Sequence, residues 1–298
     1  MKTLMNRLYL SFLFFSLMAL SGAQAHADLI YATASNEANT SSVLGTLNLS
    51  TGAFTEIGAM SVVAQSLTAD ANGTLYAGGT DGHIYTVNTN TGATTQFGTV
   101  TSPTTGTFQN GFYGLAYAGS NGFYAATLSP TYVAFGTVSP SATSFSSLGL
   151  SSLVSGYYYS GTLAIGPNGT LYTTYGVPGD GGQGLYSINT TTGAATEVGP
   201  GFGSAFQRPL GLVTSAGTLY GFNVSPFFAG PYDIFTLNTS TGGVTNTGVA
   251  ITGLPTGFQL DAAADVPGVV PEPSSFLMMG IGSVVLASVA TLRHRRVA

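Results

Sequence analysis

The chain has 298 residues, a formal net charge of −5, only 6% charged residues and no Cys. The absence of Cys excludes disulfides and Cys-based metal sites. Between residues 28 and 270 the sequence has one basic residue, Arg208, and ten acidic residues, so a surface of clustered Lys and Arg for binding nucleic acid is also excluded.

The N-terminus has the pattern of a secretory signal peptide. Lys2 and Arg7 form a positively charged region, residues 8–20 are apolar, and small residues follow at positions 23, 25 and 27. This order predicts a signal peptide over residues 1–27, cleaved after Ala25 or Ala27. We therefore expect export by the Sec route and a folded ectodomain over residues 28–265.

A repeat fills this ectodomain. A Tyr preceded by an apolar residue recurs at positions 31, 76, 124, 172 and 220, at intervals of 45, 48, 48 and 48 residues. Four copies then contain an Asn-x-x-Thr-Gly turn, which ends at Gly52, Gly92, Gly193 and Gly242, whereas the third copy, residues 135–143, lacks the Asn and the final Gly. Every copy closes with a short segment that ends in Gly, at positions 58, 98, 149, 199 and 248.

The repeat predicts an all-β fold. Apolar residues alternate with Thr and Ser, as in strands, and Gly supplies the positive φ of tight hairpins. Four strands per repeat, repeated five times, predict a five-bladed β-propeller. The first copy lacks its leading strand and a spare strand, residues 258–263, follows the last copy. We expect this strand to complete blade one and close the ring. A solenoid and an irregular β-sandwich are the alternatives.

The Thr-Gly hairpins loosely resemble those of quinoprotein-like propellers. Those repeats dock neighbouring blades through a Trp, and this chain has none, so the resemblance implies no quinone and we expect no cofactor. The aromatic residues expected to pack between blades are tyrosines instead: Tyr76, Tyr85, Tyr172, Tyr186 and Tyr220.

The C-terminus has three parts. Residues 266–273 form a linker that ends in Pro271-Glu272-Pro273, residues 274–292 carry no charge, and residues 293–298 hold Arg293, Arg295 and Arg296. The prolines keep their segment extended, and 19 uncharged residues come close to the length that crosses a bilayer. The sequence therefore predicts a transmembrane helix over 274–292, with the arginines as a basic stop in the cytoplasm. The alternatives are a buried core helix and a proline-rich linker before an ordinary anchor.

This tail resembles the PEP-CTERM sorting domain of Gram-negative bacteria. In that family a membrane enzyme, exosortase, recognises the Pro-Glu-Pro motif and removes the tail, and the proteins are associated with extracellular polysaccharide and biofilms. The resemblance covers only the tail. It implies that Pro271, Glu272 and Pro273 form the recognition element and that exosortase is the processing partner. It also implies transient anchoring in the inner membrane, followed by a place at the cell surface or outside the cell.

The ectodomain offers few groups for catalysis. Its one His, His83, follows a turn, which favours a turn or surface role over a catalytic triad. Paired carboxylates for glycan hydrolysis would need two acids on one rim of the propeller; the candidates are Asp70, Asp81, Asp180 and Asp261. The segment 179–184 matches a dinucleotide pattern by letter but opens no helix, so a loop is favoured. The Asp-Gly pairs at 81–82 and 180–181 fit simple turns better than calcium loops.

Two function classes follow from these observations. We expect a non-catalytic surface or matrix protein, without catalytic residues or metal, which binds extracellular polysaccharide or partner proteins. Its exposed-aromatic candidates for sugar stacking, for which core packing is the commoner role, are Tyr157, Tyr158, Tyr159, Phe227 and Phe228. The alternative is an extracellular glycan hydrolase or lyase that uses carboxylates on a propeller face. The ligand is not identified by the sequence, because propellers host many unrelated activities.

Overall fold

The computed structural model describes residues 29–36, 38–100, 111–128, 132–154, 159–176, 184–202, 210–223 and 232–266. All of them belong to the first of two compact units, residues 1–268. Within them, twenty β-strands form five four-stranded antiparallel sheets, and one 3₁₀ turn covers Gly119–Asn121. Each sheet is one blade, so the predicted five-bladed propeller with four strands per blade is confirmed.

The strands follow the repeat, and in each blade they succeed one another from the inner to the outer edge of the sheet. Blade 1 contains β20 (Phe258–Ala264), β1 (Leu29–Asn36), β2 (Ser42–Asn48) and β3 (Phe54–Met60). Blade 2 contains β4 (Ala64–Ala69), β5 (Leu75–Gly79), β6 (His83–Val87) and β7 (Thr94–Thr99). Blade 3 contains β8 (Gly114–Tyr117), β9 (Phe123–Leu128), β10 (Tyr132–Val138) and β11 (Phe145–Val154). Blade 4 contains β12 (Tyr159–Ile165), β13 (Leu171–Tyr175), β14 (Gly184–Ile188) and β15 (Ala195–Val198), and blade 5 contains β16 (Leu210–Ser215), β17 (Thr218–Asn223), β18 (Tyr232–Leu237) and β19 (Val244–Ile251).

The ring closes in blade 1, as predicted. Strand β20 from the end of the repeat region pairs antiparallel with β1 from its beginning, with Ala32 opposite Ala263. The five inner strands contact one another in the circular order β20, β4, β8, β12, β16 and back to β20. A bridge between Ala53 and Thr252 joins the outer parts of blades 1 and 5. Closure matters because an unpaired inner strand would leave open edges on both sides of the seam.

The core lies between the blades, in five apolar clusters. Tyr76 and Tyr172 are buried in two of these clusters, as predicted, and the Tyr76 ring meets Phe123 of the next blade edge-on at 5.0 Å. Tyr186 and Tyr220 pack against clusters while partly exposed. Aromatic pairs of this geometry add to the burial of apolar area, and they take the place of the missing Trp.

The polar turns form because an Asn side chain holds them. In the turn at residues 48–52, Asn48 Oδ1 accepts hydrogen bonds from the backbone N–H groups of Ser50 (3.0 Å) and Thr51 (2.9 Å). Asn88, Asn189 and Asn238 make the equivalent bonds. In blade 3, Ser139 Oγ accepts instead from Thr143 and Ser144, and Ala142 adopts a φ of 51°. The third copy therefore keeps its turn with different residues.

The glycines that the sequence analysis placed at the ends of the outer strands mark contacts between blades, which the sequence did not reveal. Only Gly199 directly follows its strand, whereas the other four lie within strands that continue past them. A Cβ built on Gly58 would lie 2.3 Å from the carbonyl oxygen of Thr91, in the Asn-x-x-Thr-Gly turn of the next blade. The same relation holds at Gly98, Gly149 and Gly199, which approach Ala142, Thr192 and Thr241. The last copy differs, because a Cβ on Gly248 would meet nothing within 4 Å. Glycine is thus required where one blade's outer strand meets the next blade's turn.

The predicted signal peptide, the linker from residue 267, the predicted membrane helix 274–292 and the basic tail lie outside the described residues, so these assignments stay predictions. Among the helices that the structure does describe, none is long and apolar enough to cross a membrane.

Candidate functional site

A cavity of about 150 Å³ opens at the ends of the inner strands, in the central channel. All five blades contribute to it, each through the last residues of its inner strand. Most of the residues that line it are apolar, but the surface exposed to the cavity is mainly polar. Four of the lining residues have polar side chains: Thr68, Tyr117, Thr214 and Asp265. The volume is below that of drug-sized pockets, and the surface lacks their mainly apolar character.

The polar groups of this channel cavity are only partly satisfied within the protein. Thr68 Oγ1 accepts a hydrogen bond from the backbone N–H of Tyr117 at 3.0 Å, which ties blades 2 and 3 together at the cavity wall. Thr214 Oγ1 is enclosed and has no hydrogen-bond partner. Asp265 adds a carboxylate that is half-buried. Because Thr214 Oγ1 is enclosed, the cavity can offer a small polar molecule the partly exposed Asp265 carboxylate as an acceptor.

Asp261 lies in the same inner strand β20 but on the far side of Ala262 from the cavity. It occupies a β-bulge, since Thr33 pairs with Ala262 and Ala34 pairs with Leu260. Asp261 as a whole is partly exposed, yet its Oδ2 atom is buried and has no hydrogen-bond partner. Burial raises the pKa of Asp261 to about 7, against the opposing effect of hydrogen bonds from Ser35.

Among the other predicted acids, Asp70 and Asp81 do not form a pair on one rim. Asp70 lies before strand β5 and Asp81 after it, so these two side chains are at opposite ends of that strand. Asp70 Oδ1 accepts from the backbone N–H groups of Asn72 (2.9 Å) and Thr74 (2.8 Å), which gives it a turn role. Asp180 lies outside the described residues.

Two tyrosines are held by these turn carboxylates. The Tyr76 hydroxyl donates to Asp70 Oδ2 at 3.3 Å, and the Tyr85 hydroxyl donates to Asp81 Oδ2. Burial and then the neighbouring carboxylate raise the pKa of both phenols above the ordinary value. Both phenols therefore stay protonated as hydrogen-bond donors. Tyr85 supports the Asp81 turn, and its predicted packing between blades stays a prediction, because none of the five apolar clusters in the described residues includes it.

His83 begins strand β6 beside the Asp81 turn. Its backbone N–H donates to Asp81 Oδ1 at 3.1 Å, which fits the predicted turn position. Its Nδ1 atom is enclosed and has no partner. The residues that the structure describes contain no group of three or more His, Cys, Asp or Glu arranged to hold a metal ion.

Several predicted site residues lie outside the described part of the chain. These are the sorting residues Pro271, Glu272 and Pro273, the basic residues Arg293, Arg295 and Arg296, and the aromatic candidates Tyr157, Tyr158, Phe227 and Phe228. The fifth aromatic candidate, Tyr159, begins strand β12. The channel cavity was missed by the sequence analysis, although its polar residues follow the same Leu-containing segment in successive repeats.

Comparison with protein families identifies the tail. A family model described as the PEP-CTERM protein-sorting motif matches residues 269–296. The match includes the Pro-Glu-Pro residues and the terminal arginines, so the sorting motif predicted from the sequence is confirmed. This motif is the recognition signal of exosortase, and it marks an exported protein with a membrane-anchored sorting signal whose processing leads to the cell surface. A search of curated proteins finds no sequence that matches the chain.

Solved structures are similar to this chain in fold. A putative oxidoreductase (glucose dehydrogenase) of Thermus thermophilus is 16% identical, with a TM-score of 0.43 over 66% of this chain and 67% of that one. The PQQ-bound aldose sugar dehydrogenase of Streptomyces coelicolor is 20% identical, with a TM-score of 0.41 over 60% of each chain. A structural genomics protein of unknown function from Bacteroides thetaiotaomicron is 14% identical, with a TM-score of 0.50 over 75% of this chain and 58% of that one.

The chain spans 58% to 67% of the length of these three proteins. At such identities the likeness concerns the fold alone.

Proposed function

Because the tail carries a PEP-CTERM sorting motif, we propose that this protein is an exosortase-sorted surface protein of a Gram-negative bacterium, whose propeller is a non-catalytic binding module for extracellular polysaccharide. The signal peptide, residues 1–27, delivers the chain across the inner membrane. Residues 274–292 hold it there with the C-terminus in the cytoplasm, until exosortase acts at Pro271-Glu272-Pro273. The observation that carries the proposal is the sorting motif at residues 269–296.

The channel cavity supports binding as the role of the propeller. Its mainly polar surface and the partly exposed Asp265 carboxylate suit a small unit that presents hydroxyl donors. A single sugar unit at the end of a polysaccharide has this chemistry. Because the described carboxylate at the cavity is Asp265 alone, binding is better supported there than hydrolysis by two carboxylates, which remains the alternative function.

The sorting proposal is tested by co-expressing the full chain with and without exosortase and determining the C-terminus by mass spectrometry. We expect removal of the tail only when exosortase is present. Glu272→Gln and Pro271→Ala should leave the full-length protein in the membrane fraction. Pro267→Ala, four residues upstream of the motif, is the matched control and should be processed normally. Equal removal of the tail without exosortase would refute the proposal.

The binding proposal is tested with the full chain in detergent on a glycan array, together with a screen for release of reducing sugar or unsaturated products. We expect binding without turnover. Asp265→Asn should weaken binding roughly tenfold, since it removes a charged acceptor worth about 1–2 kcal/mol. The control variant Asp233→Asn, in the outer half of blade 5, should bind like the wild type. Turnover that is lost in Asp265→Asn would instead establish the hydrolase or lyase.

A further inference from the structure

The inner strands give the channel cavity a polar surface through their backbone. Within the described sheets, each inner strand is an edge strand that pairs with one neighbour only, so its other edge faces the channel. Most residues that line the cavity have apolar side chains, yet the surface exposed in it is mainly polar. Backbone N–H and C=O groups along a strand edge account for this difference. The cavity therefore suits a ligand that carries several hydrogen-bonding groups.

The size of the cavity limits the ligand to one ring. Its volume is about 150 Å³, and a protein cavity of about this volume holds a single benzene molecule. One pyranose ring therefore fits at the open end of the channel, while the rest of a polysaccharide stays in solvent. The cavity has no room for a second ring.

The charge of the cavity favours one class of sugar. Asp265 alone is charged among the described residues that line it. The described part of the chain contains no Lys or Arg, so no cationic side chain there neutralises the Asp265 carboxylate. Over residues 28–270, ten acidic residues outnumber the single basic residue, Arg208. A cavity with charge of one sign, in a protein of the same overall sign, attracts cations and repels anions. Acidic sugars such as uronates are therefore poor ligands.

A free amino group matches these properties best. An ammonium group has a positive charge and three N–H donors, so it can donate to the Asp265 carboxylate and to backbone carbonyl groups together. A hydroxyl lacks the charge, and an acetylated amine lacks both the charge and two of the donors. We propose that the channel cavity binds an amino sugar with a free, protonated amine, and that its ammonium group contacts Asp265. This inference rests on the proposed polysaccharide-binding function and adds the class of sugar.

The expected preference follows from the strength of a charge-assisted hydrogen bond. Such bonds are roughly twice as strong as those between neutral groups. We expect a glycan with a free amine to bind about tenfold more tightly than the same glycan with a hydroxyl or an acetylated amine. Because Asp265 is half-buried, this preference should shrink as the salt concentration rises.

The test is a glycan array on which each backbone is present in four forms, with a free amine, an acetylated amine, a hydroxyl or a carboxylate at one position. The full chain in detergent should bind the free-amine form most tightly and the carboxylate form least. Asp265→Asn should lose the preference for the amine and keep weak binding of the neutral forms. Asp233→Asn changes the net charge equally, in the outer half of blade 5, and should keep the preference.

A preference for the free amine that is lost in Asp265→Asn and kept in Asp233→Asn supports the proposal. Competition by free glucosamine, and none by N-acetylglucosamine, provides the answer if Asp265→Asn does not fold. Equal binding of the amine and hydroxyl forms, or tighter binding of the carboxylate form, would overturn the inference and leave the polysaccharide proposal intact. A preference that survives in Asp265→Asn would overturn it too, since the overall charge would then be the cause. Binding of no glycan at all would overturn both proposals.

Discussion

Two glycines of the outer strands allow a direct test of how the blades dock. Gly199 directly follows the outer strand of blade 4, Gly248 lies within that of blade 5, and their φ values are 77° and 75°. Their surroundings differ, because a Cβ on Gly199 would lie 1.8 Å from the carbonyl oxygen of Thr241, whereas a Cβ on Gly248 would meet nothing within 4 Å. Gly199→Ala and Gly248→Ala therefore share the backbone strain and differ in the contact between blades.

The expected loss of stability in each variant is the sum of the cost of backbone strain and the cost of the contact between blades. Placing Ala in the left-handed region costs about 1–2 kcal/mol at either position. At Gly199 the neighbouring turn must also move by roughly 1.4 Å to restore a normal contact, and overpacking of this kind costs about 1–3 kcal/mol more. We expect Gly248→Ala to lower the free energy of unfolding by about 1–2 kcal/mol and Gly199→Ala by about 2–5 kcal/mol. For a domain of this size, the additional loss lowers the melting temperature by roughly 2–12 °C.

The assay is urea unfolding of the full chain at fixed detergent concentration, followed by circular dichroism and by Tyr fluorescence, which is usable because the chain has 16 Tyr and no Trp. Coincident transitions by the two probes would justify a two-state treatment. Equal destabilisation by the two variants, within about 0.5 kcal/mol, would refute the inference that Gly199 makes room for the turn of blade 5.

Three further predictions concern ring closure, the enclosed acid and the turns. Oxidation of the double variant Asn36→Cys with Phe258→Cys, whose positions are paired across β1 and β20, closes a loop of about 220 residues and should stabilise the protein by up to about 5 kcal/mol relative to its reduced form. The control pair, Ser35→Cys with Ser42→Cys, closes a short hairpin and should give about 2 kcal/mol, so equal gains would count against closure in blade 1. The raised pKa of Asp261, about 7 against 3.8, means that between these values the folded state retains a proton which the unfolded chain loses. The free energy of unfolding should therefore fall as the pH rises from about 4 to 7, by on the order of 4 kcal/mol. Urea unfolding across this range should show a flatter profile for Asp261→Asn, and an unchanged profile would contradict the assignment. Asn238→Ala removes two hydrogen bonds to the backbone of its turn and should cost about 1 kcal/mol in thermal unfolding, whereas Ser240→Ala, an exposed side chain in the same turn, should change stability by less than about 0.5 kcal/mol.

Local patterns in the sequence determined the repeat unit of this protein. Alternating apolar and Thr or Ser residues specify strands, and the Asn-x-x-Thr-Gly segments form turns held by their own side chains. The missing leading strand and the spare strand at 258–263 were enough to predict closure, because β-sheet edges favour pairing. The sorting motif is also a local signal, since its parts follow one another at the end of the chain.

Only the tertiary structure decided which distant residues meet. The channel cavity combines the ends of five strands from five repeats, and one oxygen of Asp261, in the bulge of β20, is enclosed without a partner. A bulge changes the direction of one side chain without an evident sequence signal. The sequence likewise did not show that Asp70 and Asp81, although close in sequence, lie at opposite ends of strand β5. Sequence periodicity specifies the blade, while register and ring closure determine which side chains enclose one another.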